Sequence, residues 1–356
     1  MQPWAGLMSF RKTVLLAVLV ILGGITLLHC ALNLHAFAPR QHRSGAAASK
    51  FRVGFLPVTC HLTCPVTDYI NKQLTGESMF EPVRFQGWPE LKEAYLSGYT
   101  PATFILAPMA IALREQGVPI KIVYLGHREG GDVMVHKDSR IFRTEDLRGK
   151  TVAVPGRYAN HRLILYRELK KAGMKLEDVN IVEMPPPDMP AALYSHAVDA
   201  ITSGEPFMGQ TELDGYGRAL YRVKEVWPGF ISCVLAVHED VIKTRREDVQ
   251  QLVDGIAKSG KWLDAKMENR MAAAQFVSTL YYNQNPRLLT YVLSKPPDRV
   301  KYSHLKPTRP NFEEIEMLAK EAGMLQGTAH FDDYIDASFA PEDDAVLAQP
   351  YTPPQS

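Results

Sequence analysis

From Phe51 onward, short apolar runs alternate with stretches whose apolar residues recur at helical spacing, the pattern of an α/β fold. Phe51–Leu56 reads as a first strand, followed by a loop and a helix over Pro65–Leu74. Val83–Phe85 is a second strand and Pro89–Ser97 a second helix. Ala102–Leu106 runs straight into a helix over Pro108–Gln116, which Gly117 stops because glycine accepts a positive φ. Ile120–Leu125 and Asp132–His136 are further strands. The pattern then starts again. Thr144–Lys150 is a polar connector, Thr151–Val154 a strand, and Asn160–Ala172 an amphipathic helix ended by Gly173. Val179–Glu183 is a strand broken by Pro185–Pro187, Met189–His196 a short helix, and Val198–Thr202 a strand. Val234–Val237 reads as a strand returning to the first unit, with helices after it over Arg246–Met267, Arg270–Tyr282 and Asn311–Ala322.

A chain that leaves one α/β unit, builds another and returns predicts two lobes, the second inserted into the first. Lobe one is expected over residues 51–140 and 236–340, lobe two over 141–235, with 341–356 a tail. The two crossings form a hinge, and a small ligand is held between lobes that close over it. Ligands of open parallel sheets sit beyond the carboxyl ends of the strands, where helix N-termini offer free N–H groups. The loops after Leu56, Phe85, Leu106, Val154, Glu183 and Thr202 are therefore the expected cleft walls.

The N-terminal part has another pattern. Arg11 and Lys12 precede an apolar run from Val14 to Leu28, continuing past His29, Cys30 and Asn33 to Leu34. A basic flank before such a run reads as an export signal or a single membrane span. Ala36–Ala38 resembles a cleavage site but Pro39 comes directly after it, and Cys30 as a lipidation site has His29 where a small residue is wanted. A retained anchor over residues 1–40 is favoured over cleavage, and cleavage over lipidation. Each places the rest of the chain in the periplasm or on the outer face of the cytoplasmic membrane. Residues 41–50, with Ser-Gly-Ala-Ala-Ala-Ser, have the composition of a flexible tether.

Composition adds mostly exclusions. The chain has 356 residues, 46% hydrophobic and 22% charged, enough for two cores. A net charge of +1 supplies no field for a nucleic-acid partner. No nucleophile elbow, His-Glu-x-x-His or phosphate-cradling glycine loop stands out, so no enzyme and no cofactor are expected. A monomer is expected.

Several motifs, in order, resemble one family. Asp146–Pro155 (DLRGKTVAVP) is similar to the lobe-entry motif of the nitrate/sulfonate/taurine group of ABC-importer substrate-binding proteins. Pro185–Met189 (PPPDM), Val198–Ala200 (VDA) and Gly204–Phe207 (GEPF) resemble motifs of its nitrate and bicarbonate branch. Phe312–Gly323, Phe331–Asp336 and Ser338–Phe339 resemble its closing segment, so the likeness covers about Phe51 to Ala340. It implies a type II, two-lobed periplasmic binding protein fold, a small solute, and an ABC importer permease as partner. Arg157 and the helix N-termini favour an anionic solute, a sulfonate or carboxylate before nitrate or bicarbonate, while Trp88, Tyr158 and the Cys/His loop would suit an aromatic or metal-bearing one, with a pyrimidine-like heterocycle third in order. Two departures bear on the solute. The segment Gly156–His161 (GRYANH) carries Arg157 where the nitrate branch has none, and the first loop, Thr59–Cys64 (TCHLTC), is unlike the family's small polar one.

The candidate ligand-binding residues are Thr59, Cys60, His61, Gln86, Trp88, Thr103, Arg157, Tyr158, Asn160, His161 and Glu205. Arg157 offers a planar fork for a carboxylate, sulfonate or nitrate. Asn160 serves equally as a helix cap, and Glu205 as a hinge-orienting residue. Cys60, His61 and Cys64 are chemically able to hold a soft metal. A Cys60–Cys64 disulfide and plain cleft lining are the other readings of that loop, lining being favoured. Cys233 is expected in the core, and His127 and Arg128 on the surface near the hinge. Two further functional readings stay open. One is a membrane-tethered ligand sensor. The other is a metal-dependent enzyme like the fungal thiamine-pyrimidine synthase, which shares the fold but whose cysteine-rich iron motif is missing here.

Overall fold

The computed structural model describes residue 12, residues 14–26 and residues 50–342. Residues 14–26 are helical and belong to a unit distinct from the one that begins at Lys50. Among the described residues no helix is long and apolar enough to cross a membrane. Cys30, the Ala36–Ala38 site, most of the tether and residues 343–356 lie outside the described residues, as does the end of the apolar run.

The strands are β1 (Phe51–Phe55), β2 (Phe80–Arg84), β3 (Ala102–Ile105), β4 (Ile120–Glu129), β5 (Gly131–His136), β6 (Thr151–Val154), β7 (Asn180–Glu183), β8 (Ala200–Gly204), β9 (Gly217–Tyr221), β10 (Ile231–His238) and β11 (Val300–Lys301). The first sheet has the order β11-β4-β10-β3-β1-β2 and the second β7-β6-β8-β5-β9. In the first, β1 is parallel to β2 and β3, while β10 runs antiparallel between β3 and β4. In the second, β6 is parallel to β7 and β8, and β5 runs antiparallel between β8 and β9. The whole second sheet, β5 to β9, therefore lies in sequence between β4 and β10 of the first. This is the inserted arrangement, in a mixed α/β fold.

Apolar β-branched and aromatic residues make the central strands nearly continuous buried runs, as strands covered on both faces require. Phe55, Phe104 and Leu125 are buried between the first sheet and its helices, each contributing roughly 1.5–3 kcal/mol relative to exposure. A smaller separate core, with Val152, Leu165, Leu169 and Met174, underlies β6 and the helix Asn160–Lys171.

The chain passes between the sheets twice, at two closely joined points. β4 runs to Glu129, and Glu129 and Gly130 both take positive φ, 65° and 73°, to turn the chain into β5. The Glu129 carboxylate accepts the Gly229 N–H at 2.8 Å, so the outgoing and returning segments are joined to each other. The strand Asp132–His136, grouped with lobe one on periodicity, pairs in the second sheet, and Ile231–Leu235 pairs in the first. The sheets thus change at Gly130 and near Ile231. Alternation along a strand says which face is buried and nothing about which sheet buries it. β9 and the helix Phe207–Leu213 are too short to carry a periodic signal, whereas Pro286–Ser294 is amphipathic and opens on an Asn285 cap followed by Pro286, a start signal present in the sequence but not among the elements expected above.

Candidate functional site

The loop after β1 leads through a short 3-10 turn, Thr59–His61, into the helix Thr63–Thr75. All three turn residues are buried. The loop is pressed onto the first sheet at Gly126, where any Cβ would collide with the Cys60 carbonyl oxygen. Glycine at this position is what lets the loop come so close. The Thr59 N–H donates to the Glu205 carbonyl at 2.9 Å, joining the loop to the second sheet. The Leu56 N–H donates to His61 Nδ1 at 2.7 Å. That bond places the His61 proton on Nε2, an N–H with no partner among the described residues. The His61 ring is held by Trp88, edge-on at 5.6 Å, and Phe104 at 5.2 Å.

β4 and β10 bring further polar groups to the same place. His127 Nε2 lies 2.8 Å from Thr59 Oγ1, which is 3.3 Å from the Glu205 carbonyl oxygen. The threonine hydroxyl donates to the carbonyl and accepts the imidazole N–H, leaving His127 Nδ1 an acceptor with no partner among the described residues. The β4–β10 register slips on both sides of Cys233, an irregularity that re-aims a side chain, and Cys233 Sγ lies 2.7 Å from Cys60 Sγ.

The second sheet adds His161 and Asn160 from the start of the helix Asn160–Lys171. Asn160 Nδ2 donates to the Ile231 carbonyl at 2.6 Å, and its Oδ1 has no partner among the described residues. Both nitrogens of the buried His161 are likewise unpartnered, as are Thr202 Oγ1 and Ser232 Oγ. His161 packs on Phe230 at 5.8 Å, and its Cδ2 is 2.9 Å from where a Cβ at Gly131 would stand. A Cβ at Gly130 would stand 2.9 Å from His127 Cε1. The two histidines therefore flank the crossing, one from each sheet.

Burial pushes His127 and His161 down to about 4, so both imidazoles are neutral at neutral pH. Burial alone would raise the Cys60 thiol, yet the Cys233 hydrogen bond with His61 and His127 nearby carries it well below its ordinary value. Cys233 is raised, by burial and by Cys60. Cys60, His61 and Cys233 place metal-capable atoms within 4.8 Å of one another. His61 Nδ1 is already an acceptor for Leu56 and Nε2 carries the proton, so this group offers two sulfur ligands rather than three.

Several expected residues stand elsewhere. Cys64 is buried in its helix near Asp68, with its thiol raised by burial and that carboxylate, and the group with Cys60 and His61 contains Cys233 in its place. For the expected alternative of a Cys60–Cys64 bridge, the sulfur that Cys60 meets is that of Cys233, at 2.7 Å, and not that of Cys64. A Cys-x-x-x-Cys spacing across a helix start cannot reveal a partner 173 residues away. Thr103 is spent inside the first sheet, its hydroxyl donating to the Gly54 carbonyl at 3.2 Å. Gln86 is exposed, with its backbone N–H on Glu90. Asn160 does not cap its helix, whose cap residue is Ala159. His127 and Arg128 are buried rather than on the surface, because β4 continues through them into the hinge. The sequence signal missed there was the long run Ile120–Glu129, whose polar end looked like a strand's exit.

Glu205 is fully engaged. Its Oε1 meets Arg299 Nη1 at 2.6 Å and its Oε2 accepts the Gly209 N–H at 2.7 Å. Arg299 also meets Glu212 at 2.6 Å and lies 3.7 Å from Asp132, and Arg222 joins both of those carboxylates. Burial raises Glu205 despite Arg299. Its role here is to fasten the second sheet to the segment before β11.

Arg157 and Tyr158 sit outward of the histidines. They line a cavity of about 260 Å³ with Trp88, Met109, Leu113 and Pro155, and a neighbouring one of about 290 Å³ that reaches Gly323. Arg157 is exposed and donates to the Gly323 carbonyl at 3.2 Å. The first cavity is mostly apolar, with the cations Lys92 and Arg157 and the carboxylate Glu183 among its lining residues, and the second is more polar.

Against known proteins, the model of the NMT1-like family matches residues 44–278. A relative from Brachyspira hyodysenteriae, named as an ABC transporter periplasmic binding protein, is 27% identical over 222 residues, 58% of this chain. The aligned stretch spans 62% of that relative, less than two thirds of its length. The zinc-bound ligand-binding component of an ABC-type import system from Staphylococcus aureus superposes with a TM-score of 0.73 at 26% identity, covering 83% of this chain and 99% of that one. The nitrate-binding protein of Synechocystis PCC 6803 superposes at 0.72 and 14% identity, covering 81% and 86%. The same fold also carries the desulfurization enzyme DSZB, at 0.59 and 15% identity with 81% and 96% covered. The two-lobed binding-protein fold expected from the motifs is borne out.

Proposed function

The chain belongs to the NMT1-like family, and on that premise we propose that it captures a small solute between its two sheets and passes it to an ABC importer permease. The observation that carries this reading is the set of unpartnered polar atoms at the crossing, supplied by both sheets: His127 Nδ1, His161 Nδ1 and Nε2, and Asn160 Oδ1. Buried polar groups are nearly always paired, because each unpaired one costs about 1–3 kcal/mol. A solute that pairs them recovers that cost only when both sheets enclose it. Closure is then driven by differential affinity for the closed state.

The chemistry of those atoms revises the expected anion. His127 and His161 are neutral, Glu205 and Arg299 satisfy each other, and Arg157 lies at the exposed rim. The inner site thus presents a mixture of uncharged donors and acceptors beside Trp88, Phe104 and Phe230. That suits an uncharged, nitrogen-containing ring better than nitrate or a sulfonate, with any anionic substituent directed to Arg157. Placement outside the cytoplasm, through the N-terminal segment, is part of the proposal, as are a monomeric state and lobes hinged at Glu129–Gly130 and Gly229–Ile231. No chemistry on the solute is proposed.

A thermal-shift series on the full chain tests this, comparing uncharged pyrimidines and imidazoles with nitrate, bicarbonate and taurine. A melting shift that grows with heterocycle concentration, as linkage requires, supports the reading. Shifts from the anions alone would restore the anionic solute. No shift from any of them would count against solute capture itself.

A further inference from the structure

Solute capture leaves one buried pair unused. Cys60 Sγ and Cys233 Sγ stand 2.7 Å apart, closer than a relaxed contact between two sulfur atoms. A disulfide has S–S near ~2.05 Å, so a sub-ångström approach is all that bonding requires. Two independent features bring the sulfurs together. Gly126 admits the Cys60 backbone onto β4, with a Cβ there also within 3.3 Å of the Cys233 carbonyl oxygen. The register slips around Cys233 turn its side chain toward that loop.

We propose that Cys60 and Cys233 are joined as a disulfide when the protein folds in contact with a disulfide-bearing oxidant. That such an oxidant meets the chain in its own compartment rests on the exported location proposed above. The Cys60 thiolate attacks one sulfur of the oxidant, forming a mixed disulfide and releasing one thiolate. Cys233, its proton passed to that departing thiolate, attacks Cys60 Sγ and releases the second. The two cysteines lose two electrons and two protons, and the oxidant becomes two thiols. Cys60 and Cys233 are 2% and 0% exposed, so the bond forms before the loop settles over Gly126 rather than after. The bond ties the loop carrying Thr59 and His61 to β10 of the first sheet.

The competing chemistry is a soft metal held by the two sulfurs. To separate them, the full chain is unfolded and reduced, refolded in a buffer of reduced and oxidised glutathione, alkylated under denaturing conditions, and mapped by peptide mass spectrometry alongside metal analysis. The expected result is a Cys60–Cys233 cross-linked peptide in most molecules, 2 Da lighter than its reduced form, with Cys64 alkylated. Cys60→Ser and Cys233→Ser should each leave the other cysteine alkylated and give no new cross-link. Alkylation of both Cys60 and Cys233 in the refolded wild type, a Cys60–Cys64 cross-link, or a stoichiometric metal ion with both thiols free would each overturn the proposal. The thermal-shift series reads solute binding separately, so the failure of one does not decide the other.

Discussion

Two buried polar clusters lie on either side of the Glu205 segment, and they are built on opposite terms. In the first, Arg299, Arg222, Asp132, Glu205 and Glu212 engage one another in charge-assisted bonds, most of them 2.6–2.7 Å long. In the second, His61, His127, His161 and Asn160 each leave at least one polar atom unpartnered among the described residues. Both clusters draw on both sheets, and both are largely shielded from bulk water. The difference lies in what completes them. The ion cluster is complete within the chain and so works as a fastening. The imidazole cluster has hydrogen-bonding capacity left over, the condition for recognising something else.

The contrast breaks most visibly at Arg299. Arg299→Met leaves Glu205 and Glu212 buried near Asp132 without their central cation, and stability should fall by about 3–5 kcal/mol, read by chemical denaturation. Lowering the pH attacks the other cluster. His127 and His161 are held down to about 4 from an ordinary 6.5, so the unfolded chain takes up protons first. Each costs stability progressively as the pH falls from about 6.5 to about 4, on the order of 3 kcal/mol at the end. Melting temperatures of the wild type and His161→Gln at pH 7 and pH 4.5 check this, and the variant should lose less. Gly126→Ala drives a methyl into the Cys60 carbonyl and should cost about 1–3 kcal/mol, with weaker solute binding as the Thr59–His61 turn is displaced. The smallest stability effect sharpens the comparison most. His161→Leu removes two unpartnered atoms and should change stability by no more than about 1 kcal/mol, while cutting solute affinity more than tenfold. A collapse of stability in that variant would show the imidazole cluster to be a fastening too.

How much of this could be read from the chain depended on distance. Strands such as Thr151–Val154 and helices such as Asn160–Lys171 were legible because apolar periodicity is local. The insertion was legible because Val234–Val237 comes after a complete second unit. The loop residues Thr59, Cys60, His61, Asn160 and His161, all five of them buried, were singled out as candidates from their position after strands. His127, Ser232 and Cys233 were not, since they sit within β4 and β10, where a residue near a strand's end gives no sign of whether it faces core or ligand. Glu205 and Arg299 show the same limit: their pairing spans 94 residues, and no local pattern announces it. Arg157, the most suggestive residue in the sequence, stands at the rim because a charge is cheaper to keep hydrated than to bury.

The position of β10 has a consequence for how the protein comes into being. It lies between β3 and β4, so those two strands never pair with each other and stay apart until residues 231–238 arrive. A chain growing from its N-terminus must therefore complete β5 to β9 before the first sheet can close. Until then β3 and β4 present open edges of the kind that recruit strands from neighbouring chains. Any break between Gly130 and Ile231 would leave a nascent molecule with two half-sheets and an aggregation hazard, not a smaller working protein.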